Sequence, residues 1–148
     1  VMGLFDKVFD PSPESLSLSP AEALAAVCLV AIAADGYLSD QESREMDMLL
    51  SRMRLFKSYS IEMVDRMKDG LLQQLQQHGP SRLVEVANTV LPAELKPTAF
   101  ALATDLVLAD GNVTPQEQAF LDDLHRILEI PSERALTIVE VMTVKNRG

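Results

Sequence analysis

The chain has 148 residues, 47% of them apolar, and a formal net charge of −9. This length suits one domain with a full core, and this composition excludes a disordered chain. The negative charge argues against binding to nucleic-acid phosphates. The longest apolar run, 12 residues over 23–34, falls short of the roughly 20 that a membrane span needs.

The predicted lead-in, residues 1–19, precedes the first helix and contains the amphipathic segment GLFDKVF at residues 3–9. Seven residues bury too little apolar surface to hold a chain stably on a bilayer, so we expect at most a weak peripheral membrane contact. Docking of this segment on the domain's own core, or disorder, is the interpretation that we favour.

Cys28, the single cysteine, cannot form an internal disulfide, and no basic-then-apolar signal peptide opens the chain. Both observations favour a cytoplasmic, reducing compartment. Because Cys28 lies inside the long apolar run, we expect its thiol to be buried and inert.

Apolar spacing is helical along the chain, and no segment alternates as a strand would. It predicts seven helices, at about 20–35, 40–55, 61–78, 81–91, 93–110, 115–129 and 132–145. Capping boxes are predicted at Ser19, Ser39 and Thr114, each followed three residues later by a glutamate. Pro97 is expected to kink the fifth helix or to delay its start by a turn. Residues 52–57, RMRLFK, form either a solvated helix end or a contact for a partner or lipid headgroups.

Two similar stretches, DGYLSDQE at 35–42 and DGNVTPQE at 110–117, recur at a spacing of 75 residues. The similarity continues upstream, where the apolar stretch 23–34 aligns with 98–109. We therefore predict an all-α, compact bundle built from two helix–turn–helix repeats, about 20–78 and 93–145, related by a pseudo-two-fold axis. Neither half has enough apolar surface to fold alone, so residues 20–148 are predicted to form a single domain.

The negative charge is concentrated at the repeats. Residues 35–47 carry a net charge of −4 and residues 105–123 carry −5, so the rest of the chain is neutral. Each stretch reads like the second half of an EF-hand loop, but loop positions 1 and 3 are apolar in both copies. Those positions hold Ala31 and Ala33 in the first copy and Leu106 and Leu108 in the second. The sequence therefore excludes an EF-hand.

Two interpretations of the repeated motif stay open. In one, the glycines end helices in the left-handed conformation, and the Ser, Thr and Glu residues cap the helices that follow. That interpretation leaves the aspartates unexplained, because a negative charge at a helix C-terminus faces the negative end of the helix dipole. In the other, a bound cation offsets this repeated unfavourable placement.

An apolar helix that ends in AADGYLSDQE and recurs as LADGNVTPQE resembles the TerB-like family, over roughly residues 20–145. That family includes tellurite-resistance TerB proteins and the N-terminal domain of the co-chaperone DjlA. The resemblance implies a compact helical bundle, no established catalytic activity, and a link to metal-ion or envelope stress. It maps the family's acidic positions onto Asp35, Glu42, Asp110 and Glu117. Neither a membrane helix nor a J-domain accompanies the motif here, which argues against a co-chaperone role.

We therefore expect a non-enzymatic stress-response module that binds a divalent cation through Asp35, Glu42, Asp110 and Glu117. Oxygen ligands suit Mg²⁺, Ca²⁺ or Mn²⁺, with Zn²⁺ less favoured and requiring the approach of His125. The four carboxylates meet if the first and fifth helices run parallel, whereas antiparallel helices give two separate pairs. The alternative is a structural protein–protein interaction domain whose acidic turns are helix caps only. A protein partner is expected in either case, and the oligomeric state stays open.

Overall fold

The computed structural model describes residues 17–109 and 111–147 of the chain. These residues contain seven α-helices and no strand, so the prediction of an all-α fold is confirmed. The helices are α1 (Pro20–Ala33), α2 (Asp40–Ser51), α3 (Ile61–His78), α4 (Pro80–Val90), α5 (Lys96–Leu108), α6 (Pro115–Ile127) and α7 (Ser132–Lys145). None of the helices in the described part of the chain is long and apolar enough to cross a membrane.

Two predicted helices were too long, each for a local reason. The second ends at Ser51, because the backbone becomes extended at Met53 (φ −95°, ψ 137°) before a single 3-10 turn at Arg54–Phe56. The fifth begins with a separate 3-10 turn, and α5 itself starts at Lys96 with Pro97 in its first turn. A proline is tolerated there because the first helical N–H groups have no partner within the helix. The delayed start predicted from Pro97 is confirmed.

Helix α1 lies at the centre of the bundle. Eleven of its 14 residues are buried, and it packs mainly against α4 and α5. A helix that is apolar on every side is stable only when neighbours surround it, since each buried Leu or Val contributes about 1.5–3 kcal/mol. The first acidic motif is therefore attached to the most rigidly enclosed element of the protein.

Cys28 lies in the middle of α1 and is completely buried. Burial raises the pKa of its thiol from 9.0 to about 12, an effect that a backbone hydrogen bond opposes only in part. The prediction that Cys28 is buried is confirmed.

Helix α5, which aligns with α1 in the repeat, carries two polar residues inside the core. Thr104 Oγ1 donates a hydrogen bond to the carbonyl oxygen of Phe100 at 2.8 Å. Asp105 Oδ1 accepts from Asn146 Nδ2 at 2.8 Å and from Lys145 Nζ at 3.2 Å. Because Lys145 and Asn146 lie at the end of α7, the Asp105 carboxylate joins α5 to that helix end.

A buried lysine joins α3 to α2. The Nζ atom of Lys68 lies 2.6 Å from Asp47 Oδ1 and 2.6 Å from Ser43 Oγ, with Asp65 Oδ1 further away at 3.6 Å. Asp47 Oδ1 accepts no hydrogen bond of good angular geometry, so the contact with Lys68 is a close ion pair. The partners of Lys68 allow its charge to stay buried.

Candidate functional site

The first acidic turn reverses the chain between α1 and α2. Gly36 takes the left-handed conformation at φ +84°, which costs a residue without a Cβ atom little. The exposed Asp35 accepts a hydrogen bond from the backbone N–H of Tyr37 through Oδ1, at 3.0 Å. This is the local side-chain-to-backbone bond typical of an Asx turn. Asp35 therefore stabilises its own turn.

Both repeated motifs form complete capping boxes, as predicted. Ser39 Oγ accepts from the Glu42 backbone N–H at 3.1 Å, and Glu42 Oε1 accepts from the Ser39 N–H at 3.0 Å. In the second copy, Thr114 Oγ1 and Glu117 Oε1 make the same two bonds, at 3.1 and 2.9 Å. These bonds use Oε1 of each glutamate and not Oε2.

One cavity of about 360 Å³ lies between the two motifs. Its lining includes Ile32 and Leu106, from the last turns of α1 and α5, and Glu42 and Glu117, from the first turns of α2 and α6. The C-terminal ends of α1 and α5 therefore meet at the same end of the bundle, as the parallel arrangement requires. The pseudo-two-fold relation between the two halves stays a prediction.

A third carboxylate, Glu45, lines the same cavity, and the sequence analysis did not include it. Glu45 follows Glu42 by three residues, a spacing that places two side chains on one helix face. That spacing is the signal that could have identified it. The side-chain nitrogen of Gln41 donates to Glu45 Oε1 at 3.3 Å. None of the residues lining the cavity is basic, so the three carboxylates repel one another and attract a cation.

The four predicted ligands do not all converge on this cavity. Glu42 and Glu117 line it and are half-buried, whereas Asp35 is exposed and is not among its lining residues. Asp110 lies outside the described residues, as does the segment 3–9. Within 17–109 and 111–147, no three His, Cys, Asp or Glu side chains form a group that could hold a metal ion.

His125, the residue expected to favour zinc if it approached, lines a different cavity between α5, α6 and α7. Its Nδ1 lies 3.0 Å from the carbonyl oxygen of Ile130, and its ring meets Phe100 edge-on at 6.3 Å. With 14% of its side chain exposed, His125 packs at the boundary of the core. The described geometry gives it a structural contact there.

Comparison with known proteins gives one family. A family model described as "Tellurite resistance protein TerB" matches residues 21–138, which include α1 to α6 and half of α7. No match was found among the curated proteins or among the solved structures. The matched range contains both acidic motifs and the cavity between them.

Proposed function

The chain belongs to the TerB family, and from that premise we propose that it is a non-enzymatic stress-response protein of the tellurite-resistance type that binds a divalent cation between its two acidic motifs. The observation that carries the proposal is the shared cavity, which Glu42, Glu45 and Glu117 line without a basic residue. Two motifs 75 residues apart in the sequence supply carboxylates to one small space. A cation bound there relieves their mutual repulsion.

The chemistry of these side chains suits a hard cation. Carboxylate oxygens are preferred by Mg²⁺, Ca²⁺ and Mn²⁺, and the Oε2 atoms of Glu42 and Glu117 are not used in the capping boxes. The C-terminal ends of α1 and α5 add the negative ends of two helix dipoles beside the cavity. In this proposal, the turn residues Asp35 and Asp110 complete the negative field or the ligand set.

The second candidate is a protein–protein interaction domain whose acidic turns serve folding alone. It is favoured by the local hydrogen bonds, because Asp35, Glu42 and Glu117 each accept a backbone N–H. Each of these carboxylates therefore has a folding role without a metal. A test must separate the loss of charge from the loss of a cap.

Glutamine makes that separation, since it also serves in a capping box but carries no charge. We expect the wild-type protein to be stabilised by about 2.7 kcal/mol when the cation is present at ~100 times its dissociation constant. That corresponds to a rise in Tm of about 5–10 °C for a domain of this size. The Glu42→Gln/Glu117→Gln variant should lose the metal-dependent rise while keeping its metal-free Tm.

Glu22 provides the matched control. It completes the capping box of α1 with Ser19 by the same two bonds, and it does not line the cavity. Glu22→Gln should keep the full metal-dependent rise in Tm, and Asp35→Asn/Asp110→Asn should reduce it. If Mg²⁺, Ca²⁺ and Mn²⁺ all leave the wild-type Tm unchanged, the cation site is wrong and the interaction domain stands.

The absence of catalysis is part of the proposal and has its own support. The hydroxyls of Ser39 and Thr114, the nucleophile types nearest the carboxylates, accept the capping bonds of α2 and α6. We expect hydrolase and phosphatase screens with added metals to stay at background. Turnover that Asp35→Asn abolishes would refute this part of the proposal.

A further inference from the structure

An apolar groove of about 490 Å³ lies between the end of α2 and the start of α3. Phe56 and Tyr59 line it, with their rings in an edge-to-face contact at 5.1 Å. Met48 and Ile61 also line it, although they are 60% and 81% exposed. Aromatic and methionine side chains at an open groove are typical of surfaces that receive apolar side chains from another segment.

The surroundings of this groove are cationic in a protein of net charge −9. No acidic residue occurs between Met48 and Ile61, a stretch that contains Arg52, Arg54 and Lys57. These three basic residues are exposed, and none forms an ion pair within the described part of the chain. The one acid in the lining, Asp47, is neutralised by Lys68 at 2.6 Å. The groove therefore suits an apolar segment with a negative charge.

We propose that this segment is the chain's own GLFDKVF, residues 3–9, and that it docks in the groove between α2 and α3. Its apolar residues Leu4, Phe5, Val8 and Phe9 follow the i, i+1, i+4, i+5 spacing of a single helix face. Residues 1–16 contain three acidic side chains and one lysine, a net side-chain charge of −2. Both the apolar pattern and the sign of the charge complement the groove.

The connection is long enough. Residues 10–16 separate the segment from the described chain and include two prolines, which favour an extended backbone. Seven such residues span about 22 Å. The radius of gyration expected for a domain of 148 residues is about 15 Å. The segment can therefore reach the groove from the fixed position of Leu18, which is 8% exposed and belongs to the core.

The other apolar cavities fit this segment less well. The cavity between α4 and α6 is lined by Glu85 and Asp123, and the one between α5 and α7 by Asp122. A fourth cavity, between α2, α5 and α7, includes Glu45 and Asp105 in its lining. Carboxylates at these openings repel an acidic segment, whereas the arginines and lysine near the α2–α3 groove attract one.

The chain contains no tryptophan, so Phe5→Trp in the full-length protein gives a single indole that reports on the segment. We expect blue-shifted emission and protection from acrylamide quenching in the monomeric protein. Ile61→Glu and Met48→Glu should each move the emission towards that of a solvent-exposed indole. Both substitutions are at exposed positions, so circular dichroism should show an unchanged helix content.

Val141→Glu is the matched control, because Val141 is 55% exposed on α7 and does not line the groove. It should leave the emission unchanged. Three results would overturn the proposal: solvent-like emission in the Phe5→Trp protein, emission insensitive to Ile61→Glu, or a shift that disappears on dilution because a second copy supplies the segment. A shift that appears only when vesicles of anionic lipid are added would also overturn it, and would assign the segment to a membrane surface.

Discussion

The two acidic turns have similar sequences but different surroundings. At the first turn, Gln76 of α3 donates a hydrogen bond from Nε2 to the carbonyl oxygen of Gly36 at 2.8 Å. At the second turn, a Cβ atom added to Gly111 would meet no atom within 4 Å. Gly36 and Gly111 have nearly the same backbone conformation, with φ at +84° and +82°. The repeat therefore preserves the local geometry, while a different neighbouring element supports each copy.

The helices before the two turns differ in the same way. Val30 in α1 and Asp105 in α5 occupy equivalent positions, 75 residues apart, and both are buried. Val30 lies among apolar neighbours, whereas Asp105 is held by the end of α7. The first unit is fixed by apolar enclosure and by α3, and the second by polar contacts with α7.

Exchanging the residues at these equivalent positions should give the largest effect. Val30→Asp places a carboxylate in the core without a partner, and we expect it to reduce the free energy of unfolding by more than ~4 kcal/mol. Asp105→Val should change it by only about 1 kcal/mol, because Lys145 is 54% exposed and becomes hydrated when released. Urea unfolding followed by circular dichroism measures both. Equal losses would show that the two helices are embedded alike.

The two lysine contacts should differ by a smaller amount. Lys68→Met removes the charge that neutralises the half-buried Asp47, and we expect a loss of about 1–3 kcal/mol in the free energy of unfolding. Lys145→Met removes a half-exposed ammonium and should cost less than ~1 kcal/mol. Both variants keep the length of the side chain, so urea unfolding compares the charges. A larger loss for Lys145→Met would reverse our assignment of the stronger support.

The glycines test the turns directly. Gly36→Ala and Gly111→Ala each place a Cβ atom in the left-handed region, at a cost of about 1–2 kcal/mol. At Gly36 the new atom also meets Cγ of Gln76 at 3.2 Å, so Gly36→Ala should be the more destabilising. Thermal and urea unfolding would detect the difference. Gln76→Ala in the same background should remove it.

The caps should show no difference between the copies. Ser39→Ala and Thr114→Ala each remove one capping hydrogen bond of 3.1 Å and should cost about 1 kcal/mol. Urea midpoints that agree within error would support equal capping in both repeats. A clear excess at Ser39 would indicate that its hydroxyl contributes to the cavity beyond its cap.

These differences also separate what the sequence predicts from what it does not. The capping boxes at Ser39 and Thr114 and the left-handed glycines were predictable, because each depends on residues within a few positions of one another. Pro97 predicted the late start of α5 for the same reason. Locally encoded features of this kind account for the all-helical fold.

The tertiary supports were not predictable. Lys68 contacts Ser43 across 25 positions, and Gln76 reaches Gly36 across 40. Nothing near these residues in the sequence indicates which of several polar side chains will face another helix. Glu45 was missed at the cavity because the analysis considered only the residues that recur in both motifs.

The position of Cys28 makes the protein a reporter of its own breathing motions. Because the thiol is fully buried and its pKa is about 12, it remains neutral and shielded from a reagent in the native state at pH 8. Alkylation then requires an opening that exposes the middle of α1. When closing is faster than alkylation, the labelling rate is proportional to the population of the open state, in the same way as amide hydrogen exchange. One native sulfur atom thus allows the rare open states of the central helix to be counted by mass spectrometry without an added probe.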